Sequence, residues 1–401
     1  MIDDQHLCEL HLHLDGSLSL ETVKYLAEQE GVALNGVIYR TETEQLFGED
    51  QDSDKEVDDQ SDDFDKDLKK LLSVSSDCHD LNEYLEKFEI PLSLLQTEEA
   101  ISYAVKSIGL EEEELGVDYV EIRFAPQLHT RKGLTQREVI EAAADSAVYF
   151  NADHNTKIRL ILCCMRGDDN HEENLETVRL AAEFMHPIHS VELFNDNDED
   201  DVTTSTDQVS GETVYSDSIS GDDLHDDNTG AASKEVFIPH AGGNMLPVIA
   251  GIDLAGAEAL YPTEDFADVF ELARELKVPF TIHAGEAAGP ESIWAAIKLG
   301  AKRIGHGVAA IKDEGLMRYL AENEIVLECC PTSNLNTKIF NDYSELPIRE
   351  FLERGIKVTI STDNVTVSDT NIIKEFEELT AAGLTAGEKQ QLLKNAENGW
   401  L

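Results

Sequence analysis

Short apolar runs ending in histidine, aspartate or glycine recur along this chain, separated by longer stretches with helical periodicity. Residues Leu7 to His13 alternate as a half-buried strand does, and Gly16 and Ser17 close the segment. A helix is expected from about Leu20, with Leu20, Val23, Leu26 and Ala27 on one face and Gly31 as its stop. Helical pattern resumes from Leu68 to about Ser107. Seven further strands are expected: Tyr119 to Ala125, Ile158 to Cys164, Val248 to Gly256, Val278 to Glu286, Arg303 to Gly307, Val326 to Pro331 and Lys357 to Asp363. Amphipathic stretches such as Arg137 to Tyr149, Phe266 to Leu276 and Ser292 to Leu299 lie between them. Alternation of this kind implies an α/β fold with a parallel sheet, and eight units suggest closure into a (β/α)8 TIM barrel. No Gly-x-Gly-x-x-Gly follows a strand, which removes the usual reason to prefer a dinucleotide-binding fold.

Two tracts interrupt the pattern. From about 41 to 66 and from about 195 to 233 the chain is dominated by acidic and small polar residues, with little to bury. They read as solvated insertions in a single barrel domain spanning 1–401. Asp196, Asp198 and Asp200 superficially suggest a calcium loop, but the sixth position is Asp201 rather than Gly and the twelfth is Asp207 rather than Glu.

Composition then narrows the partners. Aspartate and glutamate number 82 against 31 lysines and arginines, a formal net charge of −51. Such a surface repels phosphate backbones and anionic lipid heads, so neither nucleic acid nor membrane is an expected partner. It also suits a high-salt, halophilic setting, where screening confines self-repulsion to a few ångströms. Hydrophobic content of 41% allows a sizeable core. The cysteines are Cys8, Cys78 and the adjacent pairs Cys163–Cys164 and Cys329–Cys330, with no Cys-x-x-Cys spacing, which points to buried, reduced thiols. The first residues carry no basic patch followed by an apolar core, and no apolar run reaches membrane-spanning length, so a cytoplasmic protein is expected. Oligomeric state is left open.

In a barrel of this kind, chemistry gathers where the C-terminal ends of the strands converge. The first strand ends in His11-Leu-His13, whose two imidazoles share a side by the period of two. The fifth strand ends in His283, the sixth in His306 and the eighth in Asp363. Three histidines and one carboxylate can surround a Zn²⁺ while leaving a place for water. A lone His-x-His on a strand is more often packing than metal binding; joint placement at strand ends favours the metal. Glu286, thrown over the end of the fifth strand by Gly285, can reach a molecule bound there. No lysine ends the third or fourth strand to bridge two metals, so one metal per chain is expected. Arg123 and Arg166 make no cluster for a phosphate, which favours a neutral substrate. Glu328 is a candidate supporting partner for a ligand, Arg123 a buried ion-pair residue, and His129 either a pocket residue or a hydrogen-bonded surface histidine.

Seven segments, in order, carry a family resemblance: Glu9-Leu-His-Leu-His-Leu-Asp-Gly-Ser17, Arg123-Phe-Ala-Pro126, Ile252-Asp-Leu-Ala-Gly256, His283-Ala-Gly-Glu286, Ile304-Gly-His-Gly307, Cys330-Pro-Thr-Ser-Asn334 and Ser361-Thr-Asp363. Together they resemble the signature of the adenosine deaminase family. The resemblance implies that His11, His13, His283 and Asp363 bind one Zn²⁺. It implies that Glu286 gives a proton to ring nitrogen one of a purine nucleoside, that His306 assists deprotonation of the attacking water and holds the oxyanion, and that Asp363 orients that water. It places Asp15 on the ribose, the N–H of Gly256 on ring nitrogen three, and His13 also beside the substrate. The product would be inosine with ammonia, from adenosine or 2′-deoxyadenosine. One departure is Asn364, where the family often has a second aspartate for ring nitrogen seven; its amide can donate there instead. A deaminase of adenine or of a modified adenosine, and a catalytically silent purine-binding relative, are the alternatives.

Overall fold

The computed structural model describes residues 6–34, 62–75, 78, 81–185, 237–239 and 245–401. The second acidic tract, with Asp196, Asp198 and Asp200, lies outside the described residues. The first is described only from residue 62, where the helix Asp62–Leu72 begins.

Eight parallel strands carry the fold: β1 (Cys8–His13), β2 (Tyr119–Phe124), β3 (Lys157–Met165), β4 (Ile249–Ala255), β5 (Thr281–Ala284), β6 (Arg303–His306), β7 (Val326–Cys329) and β8 (Lys357–Ile360). They pair in two sheets of four, β1 through β4 and β5 through β8 in sequence order. Single parallel bridges join the sheets at both seams, Leu12 with Asp363 and Ile252 with Phe280. Helices between the strands complete the (β/α)8 architecture. A short antiparallel ladder, Phe237–Pro239 with Met245–Pro247, precedes β4 and falls outside the alternating pattern.

Local chemistry explains where the elements stop. The strand expected from Val278 to Glu286 is only Thr281–Ala284, because Pro279 offers no N–H to a ladder and Gly285 turns the chain at φ +72°. The helical stretch from Leu68 to Ser107 is broken after Leu72 and again at Leu95, and Thr97 caps a new helix, Glu98–Glu114, by accepting from Ala100 N at 3.3 Å. Thr135 opens the helix Gln136–Asp153 with a capping box closed by Glu138.

Strand parity sorts the barrel into two environments. Ile122, Phe124, Leu160, Leu162, Ile252, Leu254, Ile282, Ile304, Leu327, Val358 and Ile360 point outward into one apolar cluster shared with the helices, and all are buried. Each contributes roughly 1.5–3 kcal/mol. The alternate positions are polar: Glu121, Arg123, Asp253, Thr281, His283, Arg303, Glu328 and Thr359 fill the interior. Buried charges there must be paired. Two glycines make the geometry possible. A Cβ at Gly251 would lie 2.4 Å from the carbonyl oxygen of Pro279 across the β4–β5 seam, and one at Gly305 would lie 3.1 Å from the His11 ring.

Candidate active site

Strand ends bring four predicted residues to one point. His11 Nε2 lies 3.0 Å from His283 Nε2, and His13 Nε2 lies 3.3 Å from the same atom. Asp363 Oδ1 stands 3.5 Å from His11 Nε2 and 3.4 Å from His13 Nε2. Asp363 reaches β1 because the seam pins it: its N–H donates to His11 O at 2.8 Å and its carbonyl accepts from His13 N at 2.7 Å. Both Asp363 and His306 are held at positive φ, +65° and +59°, a strain that accumulates where function requires a fixed side chain.

The surroundings decide which ring atoms face inward. His11 Nδ1 is 2.7 Å from Glu328 Oε2, and His283 Nδ1 is 2.8 Å from Asp253 Oδ2. With Nδ1 turned to its carboxylate, each ring offers Nε2 inward, so the two Nε2 atoms confront each other in a buried space. Lone pairs so placed repel unless a cation sits between them. Tetrahedral ligands about 2.05 Å from a metal stand about 3.3 Å apart, which these separations match. Donor atoms of His11, His283, His306 and Asp363 all lie within 4.8 Å of one another. The residues therefore fit a metal. Burial holds His13 well below the ordinary histidine range, against the pull of Asp363, so it is a neutral donor. Burial would raise Asp363, yet the imidazoles of His11, His306 and His13 around it outweigh burial and hold its carboxyl below the ordinary carboxylate range. Ser333 Oγ donates to Asp363 Oδ2 at 2.6 Å, leaving Oδ1 for the imidazoles.

Beneath the imidazoles lies a fully buried ion-pair layer. Arg123 donates to Asp253 Oδ2 at 2.8 Å and to Glu328 Oε2 at 2.9 Å, and Arg303 also pairs with Glu328. Thr281 Oγ1 donates to Glu328 Oε1 at 2.8 Å. Glu328 thus supports His11, and Arg123 is the buried ion-pair residue expected of it.

A cavity of about 180 Å³ opens over the cluster, lined by His13, Asp15, Gly256, His283, Glu286, His306, Asp363 and Asn364 among others. Its other wall is apolar, with Leu85, Phe88, Leu92 and Leu128. Glu286 Oε2 stands 3.6 Å from His306 Nε2. Burial, with the nearby charge of Asp363, pushes the Glu286 carboxyl up to about 8. Asn334 Nδ2 donates to His306 Nδ1 at 3.2 Å, which places the proton of the neutral ring on Nε2; burial holds this ring, too, well below the histidine range. Asp15 is pushed up to about 6 by burial. Gly256 adopts φ +102°, a conformation glycine alone takes at low cost. The residues to which the resemblance gave site roles lie at this mouth. His129 does not: it is fully buried, with Nδ1 2.9 Å from Leu95 O. Asp253, Ser333 and Asn334 sit inside the quoted segments yet received no role there, because their partners lie on other strands.

The family profile described as "Adenosine deaminase" matches residues 51–210 and 245–400. Adenosine deaminase of Haemophilus ducreyi is 38% identical over 390 residues, covering 97% of this chain and 89% of that protein. The chain belongs to the adenosine deaminase family. Adenosine deaminase of Enterococcus faecalis is 33% identical, covering 98% of this chain and 90% of its own length. The chain is accordingly an enzyme, a hydrolytic deaminase, of a family whose members are metal-dependent. Among solved structures, the adenine deaminase of Arthrobacter aurescens superposes with a TM-score of 0.70 at 20% identity, over 98% of this chain and 92% of that one. The Arabidopsis N6-mAMP deaminase follows at 0.66 and 20%, over 98% and 92%. These two share the fold. Among the described residues no helix is long and apolar enough to cross a membrane.

Proposed function

We propose that this enzyme deaminates adenosine, and 2′-deoxyadenosine, to the corresponding inosine and ammonia with one Zn²⁺ held by His11, His13, His283 and Asp363. The observation that carries the reading is the convergence of these four side chains beside Glu286 and His306 at the floor of one cavity. Zinc, when bound, supplies the Lewis acidity that lets water attack carbon six of the purine near neutral pH.

The chain's own residues do the rest. Glu286, protonated below about 8, gives its proton to ring nitrogen one as the ring surrenders conjugation. His306, with its proton on Nε2, is a donor to the developing oxyanion, a narrower role than removing a proton from water. Asp363 is ionised and fixed by Ser333, so Oδ1 accepts from the attacking water and sets its direction. The new C–O bond forms, the C–N bond breaks, and the exocyclic nitrogen leaves as ammonia. Asp15 accepts from the ribose, the Gly256 N–H donates to ring nitrogen three, and Asn364 donates to ring nitrogen seven.

Cavity chemistry supports a neutral nucleoside over a nucleotide. Among the described residues no lysine or arginine lines it, while Asp15, Glu286 and Asp363 do, so a phosphate would meet repulsion and apolar wall there. Ammonia release is to be measured on adenosine, 2′-deoxyadenosine, adenine, adenosine monophosphate and N6-methyl adenosine monophosphate, with metal content by mass spectrometry. Expected are one zinc per chain, kcat/KM highest for the two nucleosides, and activity lost as pH rises past about 8, where Glu286 loses its proton. Glu286→Gln should abolish turnover while adenosine still binds. Faster turnover of a nucleotide or of adenine would overturn the substrate assignment, and an active Glu286→Gln would overturn the proton donor.

A further inference from the structure

Glu258 lies two residues beyond Gly256, in the loop after β4, and is buried. Its partners are all on another loop, the turn that follows β5. Oε1 accepts from Gly285 N at 2.6 Å, and Oε2 accepts from Glu286 N at 3.0 Å, Ala287 N at 2.7 Å and Ala288 N at 3.0 Å. One carboxylate therefore gathers four successive backbone N–H groups, filling a concavity that would otherwise suit a bound anion. Glu286, the side chain at the centre of the site, hangs from this turn. Arg166, just past the end of β3, ties the loop after β4 to the end of β5, donating to Tyr261 O at 2.6 Å, Thr263 Oγ1 at 3.0 Å and His283 O at 2.6 Å.

We propose that Glu258 is a positioning residue: it clamps the turn 285–288 so that the Glu286 carboxyl is fixed at the reacting ring nitrogen without touching substrate itself. The inference rests on the reading of Glu286 as proton donor. Without the clamp the turn has little to define it. The Gly285 carbonyl accepts from Ala309 N at 3.0 Å, but Ala287 and Ala288 carry no side chain that could anchor, and without Glu258 the four N–H groups would lose their shared acceptor. A glutamine cannot substitute, because its NH₂ meets the N–H groups as a second donor and leaves one oxygen for four of them.

Glu258→Gln and Glu258→Asp are the variants to compare with the parent enzyme in kcat, KM, zinc content and amide hydrogen exchange across 284–289. A reacting group misplaced by about 1 Å costs on the order of a hundredfold in rate, so kcat of Glu258→Gln should fall about a hundredfold, with KM within about threefold and zinc unchanged. The 285–288 amides should exchange faster. Glu258→Asp keeps the carboxylate and withdraws it, so an intermediate loss of about tenfold is expected. A general structural role would instead lower zinc content or raise KM in step with kcat. Wild-type kcat with faster exchange, a kcat loss that tracks zinc, or failure of both variants to fold overturns the proposal. An inactive Glu286→Gln beside a fully active Glu258→Gln would refute the clamp alone; an active Glu286→Gln would refute the proton donor first.

Discussion

At the scale of single residues, Gly16 shows how an empty position serves a full one. A Cβ there would stand 1.8 Å from Asn364 Oδ1, so the asparagine packs where an alanine methyl would be. Asn364 Cγ and Cβ would also stand at 2.5 and 2.8 Å, so Gly16→Ala must shift the backbone that carries Asn364 and should push Asn364 from its place at the cavity. Losing one neutral hydrogen bond to substrate is worth about 0.5–1.5 kcal/mol, so KM for adenosine should rise about three- to tenfold. Steady-state kinetics check it, and an unchanged KM removes Asn364 from substrate binding. Residues like His11, His13, His283 and Asp363 were legible because strand period and strand ends alone place them. Glu328 and Arg123 were half legible: burial and charge demand partners, and the ladder supplies Asp253 and His11. Glu258 was not legible, because its partners are backbone groups 27 to 30 residues away. Only the adjacency of β4 and β5 brings it to them. His129 went astray for a similar reason, its acceptor being the carbonyl at the broken helix before Gln96.

At the scale of elements, the two seams matter more than any helix. Each joins strands through a single bridge, and each carries site residues: β1 meets the chain beyond β8 at Leu12 and Asp363, and β4 meets the chain before β5 at Ile252 and Phe280. Alternating apolar and polar runs revealed the eight strands but not that closure depends on a glycine. At Gly251 the obstacle to a side chain is backbone, the Pro279 carbonyl at 2.4 Å, which also accepts from Ile252 N at 3.0 Å. Gly251→Val must pry the seam open, and overpacking of this kind costs about 1–3 kcal/mol. Because His283 rides on β5 and Asp253 on β4, metal retention under chelation should weaken alongside the denaturation midpoint. Gly387→Ala is the control. It lies in the helix Ala386–Glu397 with open space around it, where alanine should stabilise by about 0.5–1 kcal/mol. Equal midpoints for the two variants would mean the β4–β5 seam is not under steric constraint.

At the scale of the whole molecule, the apolar shell around the barrel and the ion pairs inside it are self-sufficient, and the excess charge is carried elsewhere. Inside, Arg123 and Arg303 answer Asp253, Glu121 and Glu328, and salt hardly reaches such pairs. Outside, the formal −51 has few cations to meet it, and surface pairs such as Arg137 with Glu183 contribute little singly. Self-repulsion of that surface opposes the compact state and weakens as the screening length falls from about 10 Å at 0.1 M to about 3 Å at 1 M. Stability should therefore climb with potassium chloride from 0.1 to 2 M, while the geometry of the histidine and aspartate cluster, buried and paired, should not change. Thermal unfolding in potassium chloride measures the first, and kcat/KM at temperatures well below unfolding measures the second. Chloride is the salt to use, because sulfate stabilises most folds by exclusion whatever their charge. Adding back lysines at exposed acidic positions should flatten the salt response, since it is the net charge that drives it. If the unfolding temperature is level or falls across that range, charge repulsion is not what limits this fold, and the acidic surface must be explained by something other than salt.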